Sequence, residues 1–101
     1  MEATVYILRC ADGSYYTGLT KQEVEARVWE HNNEPNSKSF TFNRRPVVLV
    51  FTETYDRMLD AIAREKQIKG WSRRKKETLI AMHYEGLPVL SRRGHLIGKA
   101  D

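Results

Sequence analysis

Two runs of β-branched, aromatic and apolar residues open the chain, and a turn signal separates them. Val5 to Cys10 and Ser14 to Leu19 have the character of strands, and Asp12-Gly13 between them is typical of a tight turn. The pattern therefore predicts a β-hairpin at the start of the chain.

The spacing of apolar residues becomes helical after the hairpin. Over residues 22–32, Val24 and Val28 share one side and charged residues occupy the others. Thr20 is placed to cap this helix. Residues 32–45 are rich in Asn, Ser, Lys and Pro, which predicts a loop long enough to take part in binding.

A third strand and a second helix are predicted in the middle of the chain. Residues 47–54 form the predicted strand. Residues 56–69 have helical spacing, with the core-facing positions at Met58, Leu59, Ile62 and Ile68. Gly70 is placed to close this helix in a left-handed conformation.

A third helix completes the pattern, with Ser72 as its cap and an end near Tyr84. The order ββαβαα predicts one small domain of the α/β (α+β) class over residues 1–85, in which helices flank an antiparallel three-stranded sheet. Glycine and proline interrupt residues 86–101, which we expect to form a basic C-terminal tail.

Size and composition narrow the class of protein. A length of 101 residues with 41% hydrophobic content suits a single core. No apolar run approaches the roughly 20 residues that span a bilayer, and the first residues lack a signal-peptide pattern, so we expect a cytoplasmic protein. The single cysteine, Cys10, excludes an internal disulfide and a multi-cysteine zinc site. Trp29 and Trp71 are expected in the core or at its edge.

The net charge of +4 is unevenly distributed. Residues 1–50 hold six basic and six acidic side chains, whereas residues 51–101 hold eleven and seven. The excess concentrates in a segment without an acid, at Lys66, Lys69, Arg73, Arg74, Lys75 and Lys76. Such a cluster suits a phosphate backbone, and its alternative is a solvated helix face.

Glu65 is an acid on the apolar side of the second predicted helix, three residues from both Ile62 and Ile68. Two partners are open for it. Lys69 at i+4 would form an ion pair worth roughly 0.2–0.5 kcal/mol, and the other candidate is a divalent cation.

Several motifs whose side chains could take part in catalysis or binding occur together. They are Val5-Tyr6, Tyr16-Thr17-Gly18, Arg27 with His31, Arg44-Arg45-Pro46, and Arg64-Glu65. This combination resembles the GIY-YIG nuclease superfamily over residues 4 to about 80, and most closely its small stand-alone bacterial proteins. Thr4 and Thr17 depart from the name-giving triplets. The resemblance implies the GIY-YIG fold and phosphodiester cleavage, in a superfamily that includes restriction, homing and repair nucleases. We assign Gly13 and Gly18 to structural turns.

Phosphodiester cleavage requires a base for the attacking water, positive charge on the phosphoryl oxygens and stabilisation of the leaving oxygen. Tyr6 or Tyr16 is a candidate base if nearby cations or a metal-bound water favour the phenolate. Arg27 can bind a phosphate, while His31, four residues later, accepts a proton or orients a tyrosine. Glu65 would hold Mg²⁺ or Mn²⁺.

Strand parity tests this site. A two-residue turn would put Tyr6 and Tyr16 on opposite faces of the sheet. A three-residue loop over residues 11–13, with Gly13 left-handed, pairs residue 8 with 16 and residue 6 with 18, and both tyrosines then share a face. We predict the three-residue loop.

The leading hypothesis is a monomeric, metal-dependent endonuclease that acts on DNA, with RNA as an open alternative substrate. Arg44 and Arg45 would add phosphate contacts to those of the basic segment. The main alternative is a nucleic-acid-binding module without cleavage activity of its own, which could need a partner protein. A third hypothesis is an interaction protein whose basic segment serves only solubility.

Overall fold

The first two strands form the predicted antiparallel hairpin in the computed structural model, which describes residues 2–85. The strands are β1 (Ala3–Arg9) and β2 (Tyr15–Thr20). Tyr6 pairs with Gly18 and Leu8 pairs with Tyr16, so the predicted register is confirmed. Gly13 has a φ of 88°, a left-handed conformation that costs glycine little. The three-residue loop is thus confirmed as well.

The remaining elements follow the predicted order ββαβαα. They are α1 (Val24–Asn33), a short 3₁₀ turn (Phe42–Arg44), β3 (Val48–Tyr55), α2 (Met58–Lys69) and α3 (Arg73–Glu85). The sheet order is β2-β1-β3, and both pairings are antiparallel. The fold is therefore a three-stranded antiparallel sheet with helices, as expected.

Helix α1 covers one face of the sheet. Tyr6 and Leu8 of β1 are fully buried, and Val24 and Val28 of α1 pack against the cluster that contains them. Because side chains alternate along a strand, residues 6 and 8 share this face with their partners across the hairpin, Gly18 and Tyr16.

Helix α2 packs on the opposite face. Val5 and Ile7 of β1 are buried there by the same alternation. Arg64 of α2 donates to the Glu53 carboxylate of β3 at 2.7 Å. Glu53 is the strand partner of Val5 across β1 and β3. This ion pair fixes α2 against the sheet. Ile68 of α2 is also fully buried.

The helix ends differ from two predictions. Thr20 does not cap α1, because its Oγ1 accepts from Gln22 in a turn before the helix. Gly70 is right-handed, with a φ of −84°. Its N–H bonds to Gln67 O, so α2 ends in a tightened turn that needs no left-handed residue. The Ser72 cap is confirmed, since its Oγ accepts from the Lys75 N–H at 3.1 Å.

Three other positions also differ from expectation. Gly18 lies inside β2 and not in a turn. Leu59 is 74% exposed, because it sits two positions, about 200° around the helix, from the buried Ala61. Trp29 is 61% exposed, because it follows Val28 by one position and so points away from the sheet.

Contacts divide the described residues into two compact units, of which the first ends at Trp71 and the second begins at Ser72. The sheet, α1 and α2 belong to the first unit, and α3 belongs to the second. The predicted basic tail, residues 86–101, lies outside the described residues. Among the residues that are described, no helix is both long and apolar enough to cross a membrane.

Candidate active site

Tyr6 and His31 form the centre of the site. The Tyr6 hydroxyl lies 3.1 Å from Nε2 of His31, and both residues are buried. The Tyr6 ring crosses β2 at Gly18, where an added Cβ would overlap the ring. Gly18 is therefore needed for space beneath Tyr6, which is the physical reason for a glycine within this strand.

The two ring nitrogens of His31 have different hydrogen-bond partners. Nε2 faces the Tyr6 hydroxyl and, at 3.5 Å, Nη2 of Arg27. A guanidinium only donates, so an Nε2 without a proton suits this position. Nδ1 lies 2.9 Å from Oγ1 of Thr41, which can accept a hydrogen bond from it.

Burial shifts the pKa of both central groups. Burial raises the pKa of Tyr6, and the nearby Arg27 only partly opposes this. Burial, followed by the charge of Arg27, lowers the pKa of His31, with Glu30 acting in the opposite direction. At neutral pH, Tyr6 is therefore a phenol and His31 a neutral imidazole. Arg27 lowers the pKa of Tyr6 less than burial raises it, so this cation alone does not favour the phenolate.

Tyr16 lies beside this pair on the same face of the sheet. Its ring centroid is 6.3 Å from that of Tyr6 and 5.0 Å from that of His31. Phe40 stacks on Tyr16 at 5.9 Å, and the Arg44 guanidinium lies 4.0 Å from the Phe40 centroid. Tyr16 is half-buried, so it is the tyrosine of the pair that solvent reaches.

Arg27 is held by an acid on its own helix. Its Nη1 donates to Oε1 of Glu30, three residues later, and both side chains are about one-third exposed. Arg27 also interacts with the Tyr6 hydroxyl and lies 3.5 Å from Nε2 of His31, so it contacts both members of the buried pair. The arginine that would bind a phosphate is thus engaged within the protein.

A cavity of about 350 Å³ opens beside Arg27 and His31. It lies between α1 and the loop that follows α1, and its other lining residues are Glu30, Glu34, Asn36, Ser39 and Arg45. The two arginines and two glutamates balance in formal charge. A negatively charged group entering this cavity would meet Arg27 next to the buried Tyr6–His31 pair.

Glu65 lies on α2, the helix on the other face of the sheet. Its Oε2 accepts from Nζ of Lys69 at 2.9 Å, so the simpler of the two predicted partners is present. The hydrogen bond that Lys69 donates to Glu65 is the main cause of the raised pKa of Lys69, and the charge of Tyr16 contributes in the same direction.

The donor set for a metal ion is small. The Glu65 side chain is 15% exposed and supplies one carboxylate. Within residues 2–85, no group of three or more His, Cys, Asp or Glu side chains could hold a metal. The single Glu65 carboxylate fits Mg²⁺, which keeps several waters and takes phosphate oxygens from a substrate. It does not fit an ion that needs an all-protein cage.

Arg44 and Arg45, predicted to contact nucleic acid, hold the loop in place. Arg44 donates to Phe40 O at 2.6 Å and pairs with Asp12 at 3.2 Å. Arg45 donates to Asn32 O and to a second carbonyl beyond the end of α1. Their contacts with nucleic acid stay a prediction.

The other basic residues lie on two helices. Lys66 and Lys69 are exposed on α2. Arg73, Arg74, Lys75 and Lys76 lie in the first turns of α3, where Arg73 pairs with Glu77 at 3.1 Å. The basic residues of α2 belong to the first unit, and those of α3 belong to the second.

Thr41 is the site residue that sequence reasoning missed. It is 1% exposed, lies ten residues after His31, and comes from the polar loop rather than from a recognised motif. The only sequence signal was the expectation that this loop takes part in binding.

Residues 2–78 match the GIY-YIG catalytic domain. Two similar proteins are UPF0213 proteins of staphylococci. The one from Staphylococcus saprophyticus is 47% identical over 77 residues, which cover 76% of this chain and 92% of that protein. The one from Staphylococcus epidermidis is 49% identical over 76 residues, covering 75% and 90%.

Two solution NMR structures are also similar. The UPF0213 protein from Bacillus halodurans is 39% identical, with a TM-score of 0.54, covering 87% of this chain and 89% of that one. A protein from E. faecalis is 32% identical, with a TM-score of 0.59, covering 84% and 88%. The domain match, the sequence relatives and the shared fold agree, and the chain therefore belongs to the GIY-YIG family.

Proposed function

We propose that this protein is a metal-dependent nuclease that hydrolyses phosphodiester bonds in DNA. The observation that carries the proposal is the contact between the Tyr6 hydroxyl and a neutral His31, with Arg27 beside both. A proton acceptor and a cation for the phosphoryl group then lie within one hydrogen-bonded cluster. Membership of a family with a catalytic domain supports the same reaction class.

The proton of the attacking water is taken up by Tyr6 and His31 acting together. Nε2 of His31 has its lone pair directed at the Tyr6 hydroxyl, so a proton reaches it through Tyr6. As the water oxygen bonds to phosphorus, its proton passes to the Tyr6 oxygen and the Tyr6 proton passes to Nε2. Tyr6 ends as a phenol and His31 as an imidazolium, while the bond to the leaving oxygen breaks and that oxygen takes a proton from solvent.

Arg27 binds the phosphoryl oxygens and controls access to Tyr6. In the structure it interacts with the Tyr6 hydroxyl and pairs with Glu30. A phosphate in the neighbouring cavity competes with Glu30 for the guanidinium, because bidentate arginine–phosphate pairs are strong. Movement of Arg27 toward the phosphate opens the Tyr6 oxygen to water. The half-buried Tyr16, whose ring centroid lies 5.0 Å from that of His31, orients the phosphate.

Glu65 would hold the Mg²⁺ or Mn²⁺ ion. Such an ion lowers the pKa of bound water and stabilises charge on the phosphate and the leaving oxygen. The Glu65 carboxylate forms an ion pair with Lys69. Lys66, Lys69 and the basic residues of α3 would contact the DNA backbone, and location in the cytoplasm stays a prediction from the sequence.

The test is incubation of the pure protein with labelled nicked, branched, duplex and single-stranded DNA, and with RNA, in Mg²⁺, Mn²⁺ or chelator. We expect cleavage of at least one DNA with a divalent ion and none with chelator. His31→Gln should reduce the rate by roughly 10²–10⁴-fold, the usual contribution of a positioned proton-transfer group.

One observation favours a second function, a nucleic-acid-binding module without cleavage activity of its own. Tyr6 is fully buried and Arg27 is already paired with Glu30, so both groups have partners within the protein. Salt-dependent binding to DNA, with no cleavage of any substrate in either divalent ion, would support this alternative and contradict the nuclease. Cleavage of RNA alone would contradict the proposed substrate class.

A further inference from the structure

We propose that Thr41 is a positioning residue that fixes His31 in the Nδ1-protonated tautomer. Its Oγ1 lies 2.9 Å from Nδ1, and the contact is buried. The effect of Thr41 on cleavage rests on the proposed nuclease function, whereas its effect on the imidazole does not. Thr41 touches His31 and acts on Tyr6 only through that ring.

The direction of each hydrogen bond follows from the groups around His31. Nε2 faces Arg27, which can only donate, and Tyr6, a buried phenol that keeps its proton. The imidazole proton therefore sits on Nδ1, and Thr41 Oγ1 is its acceptor.

Ser39 holds Thr41 in this orientation. Ser39 Oγ lies 3.1 Å from Thr41 Oγ1, and it also accepts from the Thr41 backbone N–H at 3.3 Å. Both the backbone and the side chain of Thr41 are thereby tied to one hydroxyl. The polar loop after α1 thus supplies a buried acceptor that no motif marks.

The opposite tautomer would interrupt the proton path. A proton on Nε2 would face two donors, and Tyr6 would have to turn its hydroxyl proton away from the ring. His31 could then no longer accept the Tyr6 proton. Without the Thr41 oxygen, Nδ1–H loses its buried partner, so the Nδ1-protonated form loses its advantage.

The inference is tested with protein carrying ¹⁵N-labelled histidine, because the imidazole ¹⁵N shifts report which nitrogen is protonated. His31→Gln assigns the His31 signals. In the wild type at neutral pH, we expect Nδ1 to be protonated and Nε2 to have the shift of an accepting nitrogen. A wild-type spectrum with the proton on Nε2 overturns the proposal, whatever any variant does.

Two variants separate positioning from packing. Thr41→Val keeps the shape but removes the acceptor, so the Nε2-protonated form should become populated. Thr41→Ser keeps the hydroxyl and should restore the wild-type spectrum. Melting curves show whether each variant folds. If Thr41→Val does not fold, Ser39→Ala is used instead, because it keeps the Thr41 oxygen but removes the hydroxyl that holds it. Ser39→Ala should populate the Nε2-protonated form to a smaller extent.

Cleavage provides the second measurement. Thr41→Val should lower the cleavage rate by about tenfold, which is the lower end of the loss when a metal-ligating histidine loses the hydrogen-bond partner that orients it. Thr41→Ser should recover most of this rate. An unchanged tautomer in folded Thr41→Val contradicts the inference even if the protein is an active nuclease. The predicted tautomer change in a protein that cleaves nothing supports the inference and contradicts only the proposed function.

Discussion

The Tyr6 hydroxyl and Nε2 of His31 are 3.1 Å apart, although 25 residues separate them in the chain. Two elements create this contact. Strand β1 directs Tyr6 toward α1, and α1 places His31 four residues after Arg27, on the same side of the helix. Glycine at position 18 leaves room for the Tyr6 ring on the neighbouring strand.

Replacement of Gly18 should disturb this contact directly. Gly18→Ala adds a Cβ that overlaps the Tyr6 ring, so we expect a loss of about 1–3 kcal/mol in the free energy of unfolding, typical of overpacking. Gly70→Ala is the matched control, because a Cβ there meets only backbone oxygens at 3.7 and 3.9 Å. Denaturant unfolding of the two variants gives the comparison, and equal stabilities would contradict the assigned role of Gly18.

Much of the fold was predictable because it depends on local patterns. Alternation and the Asp12-Gly13 turn predicted the hairpin, and the requirement that Tyr6 and Tyr16 share a face selected its register. Helix ends were less predictable. Gly70 has the identity of a left-handed cap but ends α2 in a right-handed turn, since other hydrogen bonds satisfy the carbonyls.

The site was predictable only in part. Tyr6, Tyr16, Arg27 and His31 do lie together, because each comes from a motif on a regular element. Burial of Tyr6 and pairing of Arg27 with Glu30 depend on packing at the junction of α1, β1 and the loop. Local sequence patterns carry no information about such distant packing, which is also why Thr41 was missed.

The lowered pKa of His31 makes stability depend on pH. Burial and Arg27 disfavour the imidazolium in the folded protein, whereas the unfolded chain protonates His31 near its ordinary pKa of about 6.5. The unfolded state thus binds more protons below that pH. The free energy of unfolding should fall as pH drops below about 6.5, by at most about 1.4 kcal/mol per pH unit, until the folded state also protonates.

Denaturant unfolding at a series of pH values measures this slope. Hydrogen bonds from Ser14 lower the pKa of Asp12, and a hydrogen bond from Arg27 lowers the pKa of Glu30. These two carboxylates therefore affect the free energy of unfolding at more acidic pH. His31→Gln should remove the slope just below pH 6.5. A slope that survives in this variant would show that His31 is not its source.

Glu30 should restrain Arg27 from binding phosphate. Glu30→Gln weakens the ion pair, and a pair this exposed restrains Arg27 only weakly, so affinity for DNA should rise about twofold. Glu25→Gln makes the same charge change at an exposed position of α1. The measured quantity is the ratio of the two dissociation constants at one salt concentration. Equal gains in both variants would mean that only net charge matters.

Affinity for DNA should arise mainly from phosphate contacts. If about four basic side chains of α2 and α3 participate, log affinity should fall against log salt with a slope near −3.6, at roughly 0.9 per contact. The double variant Arg73→Ala with Arg74→Ala should flatten this slope for unrelated DNA sequences alike. An unchanged slope would show that the segment is only a solvated helix face.

A second double variant tests whether the loop arginines stabilise the fold. Arg44→Ala with Arg45→Ala removes the same charge, but these side chains bond to Asp12 and to loop carbonyls. We expect it to lower stability more than the α3 variant does. Melting curves recorded beside the salt titrations distinguish the two effects.

The most direct test of metal-dependent hydrolysis is the cleavage rate of Glu65→Gln in Mg²⁺, measured together with its DNA affinity. Glu77→Gln is the control, because it makes the same chemical change in another i,i+4 ion pair, that with Arg73. The account predicts that Glu65→Gln abolishes cleavage while DNA binding and the melting curve are retained, and that Glu77→Gln cleaves like the wild type. Equal cleavage by wild type and Glu65→Gln would contradict it.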